Sequence, residues 1–517
     1  MASGTKKQIR IEITEKEINR RIDEIEAANI SEDLREFLID VLQALIRLDQ
    51  LVGMKNTTIS RLKKIFNKQS EKSQTVRPKD KDESASGKNS GRNGKDQYPL
   101  AETIFHEHES LSRGDQCPAC SRGTLYPFEP GVYIKITGST PLTAIVHRTE
   151  KLRCSACGEI FEADFSGRDS PKYDAKAKSV VGLLKYGAST PFYRLEKIQK
   201  DLLTPLPSST QWDLMEELAN DLILVWKTML RIGANSELAH VDDTSAKILN
   251  LMKDNRLLQN KGSQKKRQGM FTTGVLAKAD AGHIMVFYFT GKNVSGENLD
   301  NLLDKRTQGE PMVVMSDALR TNHPRRHEVY QVLCNVHSRR NFLDLEEKYK
   351  KESSYVLDLI SQIYQNEKVA IDLSPEERML YHQKHSEPIM NRLETWCRRQ
   401  FDKKLIEPNS TLGKGIVYIL KHWVELTQFY RATDIPLDNN ILEQHLRLPV
   451  LNRKNFLFYK STLGALVGDI IMSIIKTCGA NGVNAFEYMT SIQENRDRVK
   501  VNSTAWLPWN FQTQLTQ

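Results

Sequence analysis

The sequence predicts a multidomain α+β protein: a mixed α/β core with a helical insertion, preceded by a helical zipper and a small cysteine-rich ribbon. Three observations support this fold class. Strand-like segments cluster in the middle of the chain, between long stretches of helical periodicity. Two CxxC pairs lie in a short polar segment ahead of them. A polar, lysine- and serine-rich stretch separates that segment from an N-terminal heptad pattern.

Composition narrows the classes of function. The 517 residues include 74 Lys and Arg against 65 Asp and Glu, a net charge of +9 that favours a polyanionic partner. A hydrophobic fraction of 39% is enough for folded cores and excludes wholesale disorder. The most apolar stretch is short and is interrupted by Asp469, and no apolar signal segment is seen near the N-terminus. Neither a membrane span nor export is therefore expected.

The N-terminal part is predicted to form helices that are followed by a linker. Residues 1–68 contain an apolar seam with alternating steps of four and three, at Leu34, Leu38, Val41, Leu45, Leu48 and Val52. The seam lasts under three heptads, so packing against neighbouring segments stays open beside dimerisation. Residues 69–97 are almost free of large apolar side chains, which predicts a flexible linker.

Residues 98–168 carry the two cysteine pairs, Cys117 with Cys120 and Cys154 with Cys157. A CxxC pair presents two thiolates from one tight turn, and two pairs complete a tetrahedral Zn²⁺ site. Four buried free cysteines would be the alternative, but a segment with so little apolar content needs a metal to fold. The pattern therefore predicts a zinc ribbon, a module that binds nucleic acid or protein.

Changes of periodicity set the remaining boundaries. The predicted segments are a helical segment at 169–235, the first part of the α/β core at 236–342, a helical insertion at 343–433, the second part of the core at 434–492 and a tail at 493–517.

Acidic residues stand at informative places in the core. Asp242 and Asp243 lie in one predicted strand, whose alternation lets only one of them face a site, and Asp317 ends the strand MVVMSD. Glu443 lies on a predicted helix that Asp438 or Asn439 would cap and Pro449 would end. Each acid alone could be a turn residue, a cap or a surface ion-pair partner. Together they have the chemistry of a two-Mg²⁺ phosphoryl-transfer site.

Ordered blocks along nearly the whole chain resemble a known family. They are CPAC and CSAC, LLKYGASTPFYRLEKIQ, HVDDTSAKIL, VMSDA, CNVHSRRNF, LDNNILEQHLR, LNRKNFLFYKSTLGA, IIKTCGANGVNAFEYM and LPWN. The most specific is DNN-x-x-E-x-x-x-R followed by RKN-x-x-F. On these blocks the sequence resembles the transposases of insertion-sequence family 66, which belong to the DDE group with an RNase H-like catalytic core.

The resemblance implies a catalytic triad of Asp242, Asp317 and Glu443 that binds Mg²⁺ or Mn²⁺. The first acidic motif reads Asp-Asp-Thr here where the family usually has Asp-Glu-Thr, which leaves the leading aspartate in place. Gln444 replaces the usual arginine after the glutamate, and Ala318-Leu319 replaces a common Gly-Tyr pair. These differences bear on substrate contacts more than on metal binding.

Basic residues near the acids are candidate DNA contacts. The set predicted to bind DNA is His337, Arg339, Arg340, Arg447, Arg453 and Lys454. An ordinary solvated helix is the alternative for the first three, half of a metal site is a weaker one for His337, and a surface loop over a small aromatic core is the alternative around Arg453.

The expected function is therefore DNA transposition: binding of terminal inverted repeats, metal-dependent 3′-end cleavage and strand transfer into target DNA. The alternative is a DNA-binding regulator or accessory factor with an inactive core. The resemblance implies a cytoplasmic, nucleoid-associated protein with DNA as partner, and makes 169–235 a helical DNA-binding segment. It also implies a homo-oligomer, accessory proteins from the same element as further possible partners, and no membrane.

Overall fold

The computed structural model describes Glu24 and residues 110–116, 118, 124–125, 140–153, 160–164, 168–260, 269–279, 282–307 and 309–516. The predicted zipper and linker lie outside these residues, Glu24 excepted, and so do the four CxxC cysteines. The chain divides into two units, Met1–Lys135 and Ile136–Gln517. In the first, Gln116 and Thr124 form an antiparallel bridge. The named strands and helices all belong to the second unit.

The described strands form two sheets. A short antiparallel hairpin pairs β1 with β2, and a mixed sheet has the order β5-β4-β3-β6-β7. In the mixed sheet, β4 is antiparallel to its two neighbours, β3 and β5. Strand β6 runs parallel to β3, and β7 runs parallel to β6. The strands are β1 (Lys151–Arg153), β2 (Ile160–Glu162), β3 (Leu238–Ser245), β4 (Phe271–Lys278), β5 (Ile284–Gly291), β6 (Met312–Ser316) and β7 (Val329–Leu333).

Helices surround the sheet and fill the rest of the unit. They are α1 (Ala175–Gly182), α2 (Phe192–Asp201), α3 (Ser208–Ala234), α4 (Leu249–Asn260), α5 (Ser295–Leu303), α6 (Asn335–Leu343), α7 (Lys350–Ala370), α8 (Pro375–His385), α9 (Glu387–Asp402), α10 (Thr411–Lys421), α11 (Trp423–Leu426), α12 (Asn440–Phe456), α13 (Thr462–Ala480), α14 (Ala485–Glu494), α15 (Arg496–Val501) and α16 (Phe511–Leu515). A π-helical turn, Leu183–Gly187, follows α1, and a 3-10 turn, Arg320–Asn322, lies between β6 and β7.

Three apolar clusters hold these elements together, two of them much larger than the third. The largest joins the sheet to α3, α12, α13 and α14, and the second lies among α6, α7, α9 and α10. The buried residues of the smallest are Ile248, Met270 and Ala465. The predicted apolar face of α3 belongs to the largest cluster, with Leu214, Leu218 and Leu222 buried in it. Burial of such a face, rather than helix propensity, is what stabilises a helix of this kind.

Helix α13 covers the edge of the sheet that is formed by β5. Side-chain oxygens of Asp469, Ser473, Thr477 and Asn481 accept hydrogen bonds from the backbone N–H groups of alternate residues of β5, at 2.6–3.1 Å. The four acceptors are spaced by four residues, so one helix face satisfies an edge strand. The helix is long and apolar enough to cross a membrane, yet two thirds of its most apolar stretch is buried inside this fold.

Candidate active site

The first acid and the second lie on neighbouring parallel strands. Strand β3 pairs with β6 in the register Leu238 to Val313 and His240 to Met315. Two residues further along each strand come Asp242 and Asp317, which therefore stand at the same level of the sheet and share a face. Asp317 directly follows the last residue of β6, at its carboxyl end.

A buried hydrogen-bond pair brings the third acid to the same place. His240 Nδ1 lies 2.8 Å from Asn439 Oδ1, and Asn439 Nδ2 donates to the Val241 carbonyl at 3.3 Å. Asn439 immediately precedes α12, which carries Glu443 in its first turn. Burial lowers the pKa of His240 to about 4, so the ring is neutral near pH 7 and Nδ1–H is the donor. The start of the glutamate helix is thus fixed to the strand of Asp242.

A glycine allows this helix to lie close to the sheet. Gly274 of β4 is the register partner of Asp242. A Cβ on Gly274 would lie 2.7 Å from Leu446 Cδ2 and 3.2 Å from Leu442 Cδ1, closer than packed carbons come. Because Leu442 and Leu446 occupy the space over Gly274, Glu443 is carried alongside Asp242.

The prediction that Pro449 ends this helix is wrong, since α12 continues to Phe456 with Pro449 inside it. A proline at this position leaves the carbonyl of His445 without its helical N–H donor. The Tyr288 hydroxyl of β5 donates to that carbonyl at 2.7 Å. A tertiary contact therefore replaces the bond that the proline removes.

Asp243 has a structural role that differs from that of Asp242. Its carboxylate accepts from the Thr273 hydroxyl at 2.6 Å and from the Ser295 backbone N–H, at the start of α5, at 2.9 Å. Asp242 Oδ1 accepts only the backbone N–H of Asp243, at 2.8 Å, among the hydrogen bonds between described residues. Asp243 thus ties β3 to β4 and α5.

The pKa of Asp242 reflects its acidic surroundings. Burial is the main cause that raises this pKa to about 7, and the negative charges of Asp317, Glu443 and Asp243 contribute to the same rise. Clustered carboxylates of this kind disfavour the loss of each other's protons. A positive charge placed among them would offset that repulsion.

The donor chemistry fits a hard divalent cation, because carboxylate oxygens are the ligands that Mg²⁺ and Mn²⁺ prefer. No group of three His, Cys, Asp or Glu side chains within the described residues is already arranged around a single point as a metal centre. The acids therefore share one edge of the sheet and one electrostatic environment without forming a finished ligand shell.

The predicted DNA-contact residues differ in exposure. Arg340, Arg447 and Lys454 are exposed, while His337 and Arg339 are half-buried on α6. His337 Nδ1 is buried and has no hydrogen-bond partner among the described residues. These placements leave the predicted DNA contacts untested.

Arg453 is already engaged within the protein. One guanidinium nitrogen donates to the Thr244 hydroxyl at 3.1 Å and contacts both the carbonyl and the hydroxyl of Ser245. These residues end β3, two and three positions after Asp242. Arg453 therefore fastens the C-terminal half of α12 to the same strand that Asn439 fixes at the helix start.

Several residues of the site were not expected from the sequence. Asn439 was predicted as a possible cap of the Glu443 helix, but it is fully buried and its side chain bonds to β3. Ser295 and Asn322 belong to none of the motifs, although Asn322 lies five residues after Asp317, and only their contacts with Asp243 and Asp317 identify them. Buried polar residues with specific partners of this kind have no periodic signature in a single sequence.

A five-stranded mixed sheet that presents acids from neighbouring strands, together with many helices, fits the core of an α+β transposase. A family model described as "Transposase IS66 family" matches residues 173–466, a span that includes all three acids. Since this match covers more than half of the chain, the chain belongs to the IS66 family of transposases.

Curated relatives share a smaller part of the sequence. The chain is 29% identical over 186 residues to uncharacterized protein y4jD of Sinorhizobium fredii (strain NBRC 101917 / NGR234), covering 34% of this chain and 35% of the relative. It is 24% identical over 192 residues to uncharacterized protein y4hP of the same strain, covering 34% of each. The chain thus spans about a third of the length of the curated relatives it matches.

Proposed function

We propose that this transposase binds the terminal inverted repeats of an insertion sequence, cleaves the 3′ ends and joins them to target DNA, using an RNase H-like core. The observation that supports the proposal is the placement of Asp242, Asp317 and Glu443 at one edge of the sheet. Strand register sets Asp242 and Asp317 at one level, and the Asn439 bonds fix the start of the Glu443 helix to β3. Three acids from three distant segments are the donor set that phosphodiester chemistry of this class needs.

Asp242, Asp317 and Glu443 would hold Mg²⁺ or Mn²⁺. Such ions, when bound, stabilise the attacking and leaving oxygens of an in-line displacement and lower the pKa of the attacking hydroxyl. The protein's own part is to orient: β3 and β6 present two carboxylates from a rigid sheet, and Asn439 fixes the helix of the third. No covalent protein intermediate is required, in keeping with the lack of a nucleophilic Ser or Tyr motif in the sequence.

DNA binding is assigned to basic side chains around this edge. Arg340, Arg447 and Lys454 are exposed and suited to phosphate contacts, together with His337 and Arg339 beside them. Arg453 would act mainly by holding α12 in place, given its bonds to Thr244 and Ser245. Binding of end DNA should weaken steeply as salt rises, because each phosphate contact releases condensed counterions.

The segments ahead of the core are assigned from the sequence. We propose that Cys117, Cys120, Cys154 and Cys157 bind Zn²⁺ in a ribbon that helps to read the element ends. The zipper at 1–68 would pair protomers in a homo-oligomer across the 69–97 linker, and the helical insertion at 343–433 would help to hold the DNA end. Action on DNA places the protein in the cytoplasm at the nucleoid, where proteins encoded by the same element could assist it.

The deciding experiment is strand transfer in vitro with a pre-cleaved element end and Mg²⁺ or Mn²⁺. The unaltered protein should join the end to target DNA, and Asp317→Asn should abolish joining while retaining end binding. Asp497→Asn, an exposed aspartate on α15, is the matched control and should keep full activity. End binding without any joining by the unaltered protein would instead support a DNA-binding regulator with an inactive core.

A further inference from the structure

A chain of hydrogen bonds connects the start of α5 to the second acid. Ser295 donates its backbone N–H to Asp243 and its hydroxyl to Asn322 Oδ1, which as an amide oxygen can only accept. Asn322 Nδ2 in turn donates to Asp317 Oδ1. The residue beside the first acid is thereby linked, through two side chains, to the second acid.

These bonds lie in a closely packed region that is buried from solvent. Ser295 is fully buried and Asn322 is 1% exposed. Gly296 follows Ser295, and a Cβ there would collide with the backbone carbonyl oxygens of Thr321 and His323. The 3-10 turn that contains Asn322 therefore rests directly on the first turn of α5. Buried side chains in such packing keep a single rotamer, so the Asn322 amide is a rigid donor.

Both donors to Asp317 engage the same oxygen. The Leu319 backbone N–H donates to Oδ1 at 3.0 Å, and the Asn322 amide donates to Oδ1 as well. The Leu319 bond is a local turn contact of a kind any aspartate can make after a strand. The Asn322 bond is different, because it comes from outside the local turn and is braced by α5. Together they fix the plane of the carboxylate and leave Oδ2 as the oxygen turned away from both donors.

We propose that Asn322, braced by Ser295, is a positioning residue that orients the Asp317 carboxylate for a divalent cation. The inference rests on the proposed function in taking Asp317 as a metal ligand. Residues that hydrogen-bond to metal ligands restrict the ligand to its binding orientation, and their loss costs about 10–100-fold in metal affinity or activity.

The test is direct Mn²⁺ binding by the full-length protein, followed by electron paramagnetic resonance of the free ion. Asn322→Ala should weaken binding by about 10–100-fold. Ser295→Ala should weaken it in the same direction, while Ser295→Thr, which keeps the hydroxyl, should restore it. Asn301→Ala is the matched control: Asn301 also joins α5 to the β6–β7 connection, through Arg326, but lies away from Asp317 and should leave Mn²⁺ affinity unchanged.

Melting temperature separates positioning from folding. A merely structural Asn322 would lower the melting temperature of the alanine variant and leave the Mn²⁺ affinity of the folded fraction intact, which would overturn the proposal. If Asn322→Ala does not fold, the Ser295 pair decides: equal Mn²⁺ affinity of the Ala and Thr variants would overturn it. Absence of Mn²⁺ binding by the unaltered protein would do so too.

Failure of the inference can be told from failure of the proposed function. An unaltered protein that joins DNA ends, with Asn322→Ala binding Mn²⁺ as tightly, removes the positioning role alone. If Mn²⁺ affinity depends on Asn322 but the unaltered protein never joins ends, the proposed function is wrong and the positioning role remains supported.

Discussion

His240 of strand β3 and Asn439 at the start of α12 are joined by a buried hydrogen bond of 2.8 Å, although they lie 199 residues apart in sequence. Asn439 is fully buried. Its backbone N–H donates to Cys334 Sγ, just beyond β7, with 3.2 Å between nitrogen and sulfur. One asparagine therefore meets the strand of Asp242, the end of the last strand and the helix of Glu443. This contact accounts for how remote acids come to share one edge of the sheet.

Replacing this asparagine should loosen the site. Asn439→Ala leaves His240 Nδ1–H without its acceptor and removes the bond to the Val241 carbonyl. Loss of one partner of a buried hydrogen bond costs about 1–3 kcal/mol, so the free energy of unfolding should fall by at least that much. Strand transfer should fall as well, since the Glu443 helix loses its tie to β3. Urea unfolding and a joining assay measure the two effects.

Asn440→Ala provides the control, one residue along. Asn440 is exposed, and its side chain bonds only to neighbouring Asp438 among the described contacts. Its loss should change stability by no more than about 0.5 kcal/mol. Equal effects of the two substitutions would show that the His240 contact does not organise the site.

Asp469 should make stability depend on pH. Burial raises its pKa to about 7 in the folded protein, against an ordinary value near 3.8, while bonds from Thr290 act in the opposite direction. Between these values the folded state holds a proton that the unfolded state has lost, so stability falls as pH rises from about 4 to about 7. A shift of this size corresponds to a free energy on the order of 4 kcal/mol.

Asp469→Asn should flatten this dependence, because the amide keeps an acceptor for the Thr290 N–H and cannot ionise. Urea unfolding at pH 5 and pH 8 gives the slope for each protein. Asp402→Asn, at the exposed end of α9, should behave as the unaltered protein does. The same slope in Asp469→Asn as in the unaltered chain would refute a raised pKa at this buried position.

The bond from Tyr288 to the His445 carbonyl should matter only while residue 449 is proline. Tyr288→Phe should cost about 1–3 kcal/mol, because it leaves a half-buried carbonyl without a donor. In a Pro449→Ala background the helix supplies its own N–H, so the same change should cost much less. A double-mutant cycle from unfolding free energies measures the coupling. Independent, additive effects would mean that the tyrosine does not replace the missing helical bond.

The cysteine pairs carry a separate prediction. Purified protein should contain one Zn²⁺ per chain by elemental analysis, and a Cys117→Ser, Cys154→Ser double variant should contain none. That variant should bind element ends less tightly while its core melts at an unchanged temperature. Cys397→Ser, a buried cysteine outside the CxxC pairs, is the control for metal content and should retain the zinc. Metal-free unaltered protein would show that the pairs have another role.

Local sequence patterns predicted part of the α/β core correctly. The strand that carries Asp242 and the strand that precedes Asp317 were predicted from their apolar residues, and they form β3 and β6. The short strand β7 was missed, because VYQVL is half-exposed and resembles the helical sequence that follows.

Tertiary contacts decided the rest. Pro449 was predicted to end its helix, because the sequence does not show that Tyr288 donates to the His445 carbonyl. Polar residues within the apolar helix α13 read as interruptions until they meet the N–H groups of β5. Asn439 bonds to His240, 199 residues away, and Asn322 bonds to Ser295, 27 residues away, so neither role is visible locally. Such features depend on three-dimensional neighbours that one sequence does not reveal.

The most direct test of the shared acidic site is a strand-transfer cycle with Asp242→Asn, Glu443→Gln and the two combined, on a pre-cleaved end. Groups that act as one unit are non-additive. Each single variant should lose joining by at least about 1,000-fold, and the double variant should be no worse. Near-normal joining by either single variant, or losses that multiply in the double variant, would contradict a single site built from these side chains.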